Sequence, residues 1–161
     1  MRSIRSYAHS NSITQSMQSL HDEWRLLWEQ HVAWTRMTII SDAFDLPILT
    51  ATSTRLLRNA SDMGALMRAF YGEGVAARFT QLIHDHLQIA INLVAAAKAG
   101  DTARAAQIER EWYENADEIA RFMSRINRHW SQRALRDMLH RHLALTKDEA
   151  VAILSGDYQK S

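Results

Sequence analysis

The sequence predicts an all-α fold, an up-and-down helical bundle of four main helices with two or three short ones. Three observations lead there. Five Gly and one Pro among 161 residues fall far below the combined ~12% usual in proteins, and a sandwich or barrel needs a turn every ~8 to 12 residues. Apolar residues recur at three- and four-residue spacing through most of the chain, the period of a helix buried on one face. The joints carry helix-end chemistry, with Gly closing one run and Asp, Ser or Thr opening the next.

Helical periodicity starts near Ser16 and runs to about Phe44, where Asp45, Leu46 and Pro47 stop it, because proline holds the residue before it extended. Residues 1–15, with Arg2, Arg5, several serines and no acid, superficially suit an organellar presequence but lack the apolar stretch of a secretory signal. They read as a flexible N-terminal arm before a single bundle domain, 16–161. A short helix is expected over 49–58, then a break at Asn59-Ala60-Ser61, then a third helix capped by Ser61 or Asp62 and ended at Phe70 by Gly72 and Gly74. Two long helices follow, 75–99 and 102–127, whose tight Gly100-Asp101 joint makes an antiparallel hairpin. Ser131 caps the next helix, to about Leu143. Thr146 and Glu149 then read as a capping box for a last short helix that Gly156 ends.

At 47% apolar residues the chain can bury one real core, so no disulfide or metal is needed to hold the fold. Cysteine is absent, which removes thiol nucleophiles, Cys-ligated zinc and iron-sulfur clusters. A formal net charge of +1 creates no global field toward nucleic acid or an anionic membrane. The longest apolar stretch, around Ile89 to Ala97, contains Asn92 and falls short of the ~18 residues of a membrane span. A soluble, cytoplasmic protein is expected, with no membrane partner.

Projecting each helix at about 100° per residue sorts the polar residues. His31 falls within the stripe of Met17, Leu20, Trp24, Leu27 and Trp28, which continues as Thr35, Thr38 and Asp42. His86 is centred among Phe79, Leu82, Ile83, Ala90, Leu93 and Ala97, while His84 points away; His142 is centred with Leu135, Met138 and Leu139, while His140 faces out. Asn115 interrupts the stripe of Ile108, Trp112, Ala116 and Ile119, with Glu111 beside it. An unsatisfied buried polar group costs about 1 to 3 kcal/mol, so His31, Thr35, Thr38, Asp42, His86, Asn115 and His142 are expected to form a hydrogen-bonded polar layer that fixes register. The alternative is a metal centre, with His31, His86 and His142 and a carboxylate from Asp42 or Glu111 as ligands suited to Zn, Fe or Cu. Glu-x-x-His and His-Glu-x-x-His are both missing, which favours the structural layer, and no cofactor is predicted.

Other signals are weaker. Tryptophans at helical spacing, Trp24, Trp28 and Trp112, are expected in the core. Tyr71-Gly72-Glu73-Gly74 reads as a turn, because an acid between two glycines suits an anion site poorly. There is no phosphate loop and no hydrolase elbow. The basic stretch from Arg121 to Arg141 can be a nucleic-acid or protein interaction face, although Asp117 with Arg121, Glu118 with Arg125 and Asp137 with Arg141 are spaced to pair along the surface, which makes nucleic acid the poorer reading. Finally, Leu82-Ile83-His84-Asp85-His86-Leu87 and Met138-Leu139-His140-Arg141-His142-Leu143 echo each other at an offset of 56 that also superposes Gly100-Asp101 on Gly156-Asp157, with a weaker copy at Leu27 to Val32. The echo fits a duplicated helical unit or chance among helices of similar composition.

The strings Leu27-Trp28-Glu29-Gln30-His31-Val32-Ala33-Trp34-Thr35-Arg36, Arg55-Leu56-Leu57-Arg58-Asn59, Phe70-Tyr71-Gly72, His86-Leu87 with Gly100-Asp101, Trp112-Tyr113-Glu114-Asn115-Ala116-Asp117 and His142-Leu143-Ala144-Leu145-Thr146 resemble a family of small all-helical bacterial proteins of unestablished function, over roughly residues 20–158. Members sometimes carry the label acetylglutamate kinase, which this sequence does not support: such a kinase is a much longer α/β protein with glycine-rich phosphate turns. The resemblance places His31, His86, Asn115 and His142 at motif positions and brings no catalytic role. Relatives tend to have Pro where this chain has Ala60 and Arg128, which implies looser turns here. They also run on past Tyr158 into another amphipathic helix, which implies a shortened chain and a homo-oligomer in which a partner subunit covers an exposed apolar groove. Function is expected to be that of a binding or structural module rather than an enzyme; the alternatives are a metalloprotein using the core histidines and an interaction module using the Arg face.

Overall fold

The computed structural model describes the backbone of residues 5–160 and the side chains of residues 17–160. Four helices make up the fold, α1 (Arg5–Ala43), α2 (Leu49–Lys98), α3 (Thr102–Ile126) and α4 (Gln132–Ser155), with no strand among the described residues. α1 starts at Arg5 rather than near Ser16; the expected arm, 1–15, lies outside the residues whose side chains are described.

The expected short helices are not separate elements. Asn59, Ala60 and Ser61 continue α2, because the Asn59 carboxamide donates to the Leu27 carbonyl of α1 at 3.1 Å instead of competing for its own backbone, the usual reason asparagine breaks helices. Ala60 therefore occupies no turn. Thr146 likewise caps nothing: its hydroxyl donates back to the His142 carbonyl at 2.9 Å, a bond threonine makes inside helices, and α4 runs on to Gly156. The caps at Asp101 and Ser131 form as expected, accepting from Arg104 N and Ala134 N. Gly72 interrupts α2 with φ +78° and ψ 175°, a conformation side chains disfavour, and so divides it into two arms, 49–71 and 73–98.

Leu56, Ala60, Met63, Met67, Phe79, Leu82, Leu87, Ile108, Trp112, Ala116 and Leu143 fill one main core; Ile39, Ala150 and Ile153 form a smaller cluster between α1 and α4. Where the arms of α2 meet, Gly64 is buried, and a Cβ added there would stand 1.8 Å from Thr80 Oγ1. Gly64→Ala is therefore expected to lower the melting temperature despite a helix-propensity gain of about 1 kcal/mol, and Thr80→Ala in the same chain to recover most of the loss. Scanning calorimetry of the three variants checks this.

The echo in the sequence is structural. Asp45, Gly100 and Gly156 all have positive φ, 51°, 71° and 78°, each fourteen residues after His31, His86 and His142. The three helix ends close with the same bonds: Leu46 N to Ser41 O, Asp101 N to Ala96 O and Asp157 N to Ala152 O, at 2.8, 3.1 and 2.9 Å, the long bond of the Schellman motif. Asp45 takes the left-handed position without glycine, and Lys98 meets its carboxylate there. Three histidine-bearing segments, α1, 73–98 and α4, thus end alike, and two intervening segments, 49–71 and α3, each bring an Asn-Ala pair to a histidine.

Candidate functional site

The site is built from that repeat. His31 Nδ1–H donates to Asn59 Oδ1 at 3.2 Å, and Asn59 Nδ2 donates to the carbonyl of Leu27, one turn before the histidine. His86 Nδ1–H donates to Asn115 Oδ1 at 2.8 Å, and Asn115 Nδ2 donates to the carbonyl of Leu82, again one turn before. Because each carboxamide nitrogen is spent on a carbonyl, its oxygen faces the ring, which fixes the proton on Nδ1 and leaves Nε2 with its lone pair. Trp112 Nε1 donates to the His86 carbonyl at 3.1 Å and tilts its ring against the imidazole.

The three rings gather. The His31 and His142 centroids are 5.7 Å apart and those of His86 and His142 6.1 Å, the latter pair stacked. Burial pushes the His31 ring down to about 4, helped by the charge of His142 and opposed by the Asn59 bond. Burial pushes His86 down to about 3, opposed by Asn115 and helped by His142 and His31. Burial also lowers His142. All three are neutral imidazoles at neutral pH.

His142 differs in one respect. No carboxamide reaches it, and its ring makes no hydrogen bond among the described residues, while it is only half-buried.

Of the residues expected in the polar layer, His31, His86 and His142 stand together, with Asn115 bonded to His86. Thr35, Thr38 and Asp42 do not join it; they follow His31 along α1 and line a pocket below. Asp42, buried, stands 3.6 Å from Lys98 Nζ. Glu111 is exposed and accepts from Gln107 one turn earlier, so the metal reading loses that carboxylate, and no three His, Cys, Asp or Glu among the described residues stand so as to hold a metal ion. Met138 and Trp28, expected inside, are exposed. The acids of the basic stretch find other partners than expected: Asp117 meets His140 at 2.7 Å, Glu118 meets Arg78, and Asp137 meets Arg133 and Arg136. Asn59 is the residue that sequence reasoning missed. Its signal was the Asn-Ala pair repeated at 59–60 and 115–116, 28 and 29 residues after a core histidine.

No protein-family model, curated protein or solved structure matches this chain. Among the described residues no helix is long and apolar enough to cross a membrane. The reading of function rests on the site's own chemistry.

Proposed function

We propose that this protein is a binding module that receives one helix of a partner chain in the slot between α4 and α1, its own segments standing in up-and-down order. The observation that carries this reading is the ring of His142, unpaired among the described residues, where the two related histidines each hold an asparagine from a neighbouring helix. Exposed apolar side chains on both helices support the reading. Leu82, one turn before His86 and covered by α3, is 1% exposed; Met138, one turn before His142, is 50% exposed. Leu87 and Leu143, just after their histidines, are 2% and 0% exposed, whereas Val32, just after His31, is 58%. Trp28 shares a shallow groove with Val32 and meets the His31 ring edge-on, and Leu145 adds a further exposed apolar side chain on the face of α4 that carries Met138.

The repeat also defines the occupant. It is an amphipathic helix antiparallel to α4 with Asn-Ala at the centre of its apolar face, the asparagine accepting from His142 and donating to the Met138 carbonyl. Arg141, exposed on α4, stands where the 73–98 arm has Asp85, so acidic flanks suit this helix better than basic ones. A second copy of the chain does not supply it in its folded form, because Asn59 and Asn115 are already engaged.

A peptide of residues 102–126, which carries this chemistry in α3, is the probe. Fluorescence anisotropy is expected to show saturable binding to the full chain. Met138→Glu together with Leu145→Glu, at exposed positions, should abolish it, and Asn115→Ala in the peptide should weaken it about tenfold. Equal affinity for wild type and the double Glu variant overturns the proposal, as does failure to bind. So does a symmetric dimer in sedimentation that the Glu variant dissociates, which would make the slot an interface between copies.

A further inference from the structure

A second opening lies directly below the histidine layer and is independent of the helix slot. It is a pocket of ≈ 110 Å³ whose walls include Ile39, Leu56, Leu93, Trp112 and Val94, and Trp112 is the residue that ties it to His86 above. Two hydroxyls, Thr35 Oγ1 and Thr38 Oγ1, are buried on its α1 wall without a hydrogen-bond partner among the described residues. Inside a helix such a hydroxyl ordinarily bonds to a carbonyl one turn back, as those of Ser41, Thr54 and Thr146 do here. An orphaned hydroxyl in an apolar wall costs stability, and two at adjacent turns of one helix face the same space. The charges at the edge are satisfied elsewhere: Lys147 binds Glu109 at 2.7 Å, and Asp42 stands by Lys98.

We infer that this pocket is a binding site for a small neutral molecule with a compact apolar body and one hydroxyl or carbonyl, which Thr35 and Thr38 hydrogen-bond. The edge charges, being paired, offer nothing to an ionic ligand. An apolar cavity of about 150 Å³ accommodates benzene, so the body that fits in this smaller space is one of about three carbon atoms.

Propan-2-ol and propane form the matched probes, read by methyl NMR shifts of Ile39 and Leu93 and by melting temperature of the full chain. Propan-2-ol is expected to shift those methyls and to bind about tenfold more tightly than propane. Thr38→Val, which replaces the orphan hydroxyl by a methyl of the same shape, should raise the melting temperature of the free protein while removing the preference for the alcohol. Thr35→Val gives the same readout should the first variant fail to fold. The inference is overturned when neither probe binds, when both bind alike in wild type, or when the valine variants melt lower than wild type, which would show the hydroxyls already satisfied by ordered water.

Discussion

Asn115→Ala is expected to destabilise the fold by about 3 kcal/mol, a fall in melting temperature of roughly 6 to 12 °C for a chain of this size. The reason is positional. Asn115 accepts the Nδ1 proton of a buried imidazole and donates to Leu82, so its removal orphans the ring N–H of His86, a residue 4% exposed, and also leaves a void. Asn59→Ala, at a residue with no exposure, should behave alike toward His31. Removing both partners differs from removing one. His86→Leu with Asn115→Leu is expected to cost much less than the sum of the single changes, because a buried donor and acceptor that disappear together leave nothing unsatisfied. Urea unfolding of the four-member cycle tests this; strict additivity would mean that the bond contributes nothing specific. His142→Leu, whose ring has no bond to lose, should be the mildest of the histidine changes.

Acid should undo the same layer. His31 and His86 are held down to about 4 and about 3, against about 6.5 in an unfolded chain. Between those values the unfolded chain binds protons that the native state refuses, so stability rises with pH across that window. The contribution is complete above pH 6.5 and is lost as pH falls from 6.5 toward 4 for His31 and toward 3 for His86. Each ring contributes a slope of about 1.4 kcal/mol per pH unit, so the two together remove on the order of 5 kcal/mol by pH 4.5. Denaturant midpoints at pH 7.5, 6.0, 5.0 and 4.5 should fall steadily. The doubly substituted chain, His86→Leu with Asn115→Leu, should lose about 1.4 kcal/mol per pH unit of that slope, because carboxylates titrate equally in both proteins. An unchanged slope in that variant would assign the acid sensitivity to carboxylates instead.

Much of the fold was legible because it depends on local chemistry. The lack of turn-formers excludes a sheet, and the caps at Asp101, Ser131 and Gly156 are written in residues that satisfy their own helix ends. The inward direction of His31 and His86 also follows from periodicity. Periodicity failed at Met138 and Trp28 for a shared reason: it reports which side of a helix is apolar, while burial requires a neighbour, and none among the described residues covers these two side chains fully. The breaks at Asn59 and Thr146 failed because their side chains have two uses. Asparagine and threonine end helices when they bond to their own backbone and continue them when a tertiary or back-bonded partner takes that role.

The sequence by itself determined that the chain is helical, where most of its helices end, and which histidines turn inward, since each follows from propensity and spacing over a few residues. Only the tertiary structure decided the partners. That Asn59 and Asn115 hold His31 and His86, that Glu111 stays in solvent, and that His142 stands with no carboxamide among the described residues depend on contacts across 28 or more residues, or on their absence. Those contacts set protonation, burial and vacancy together, because an imidazole taken from water stays neutral and ordered only where another segment supplies its hydrogen bond.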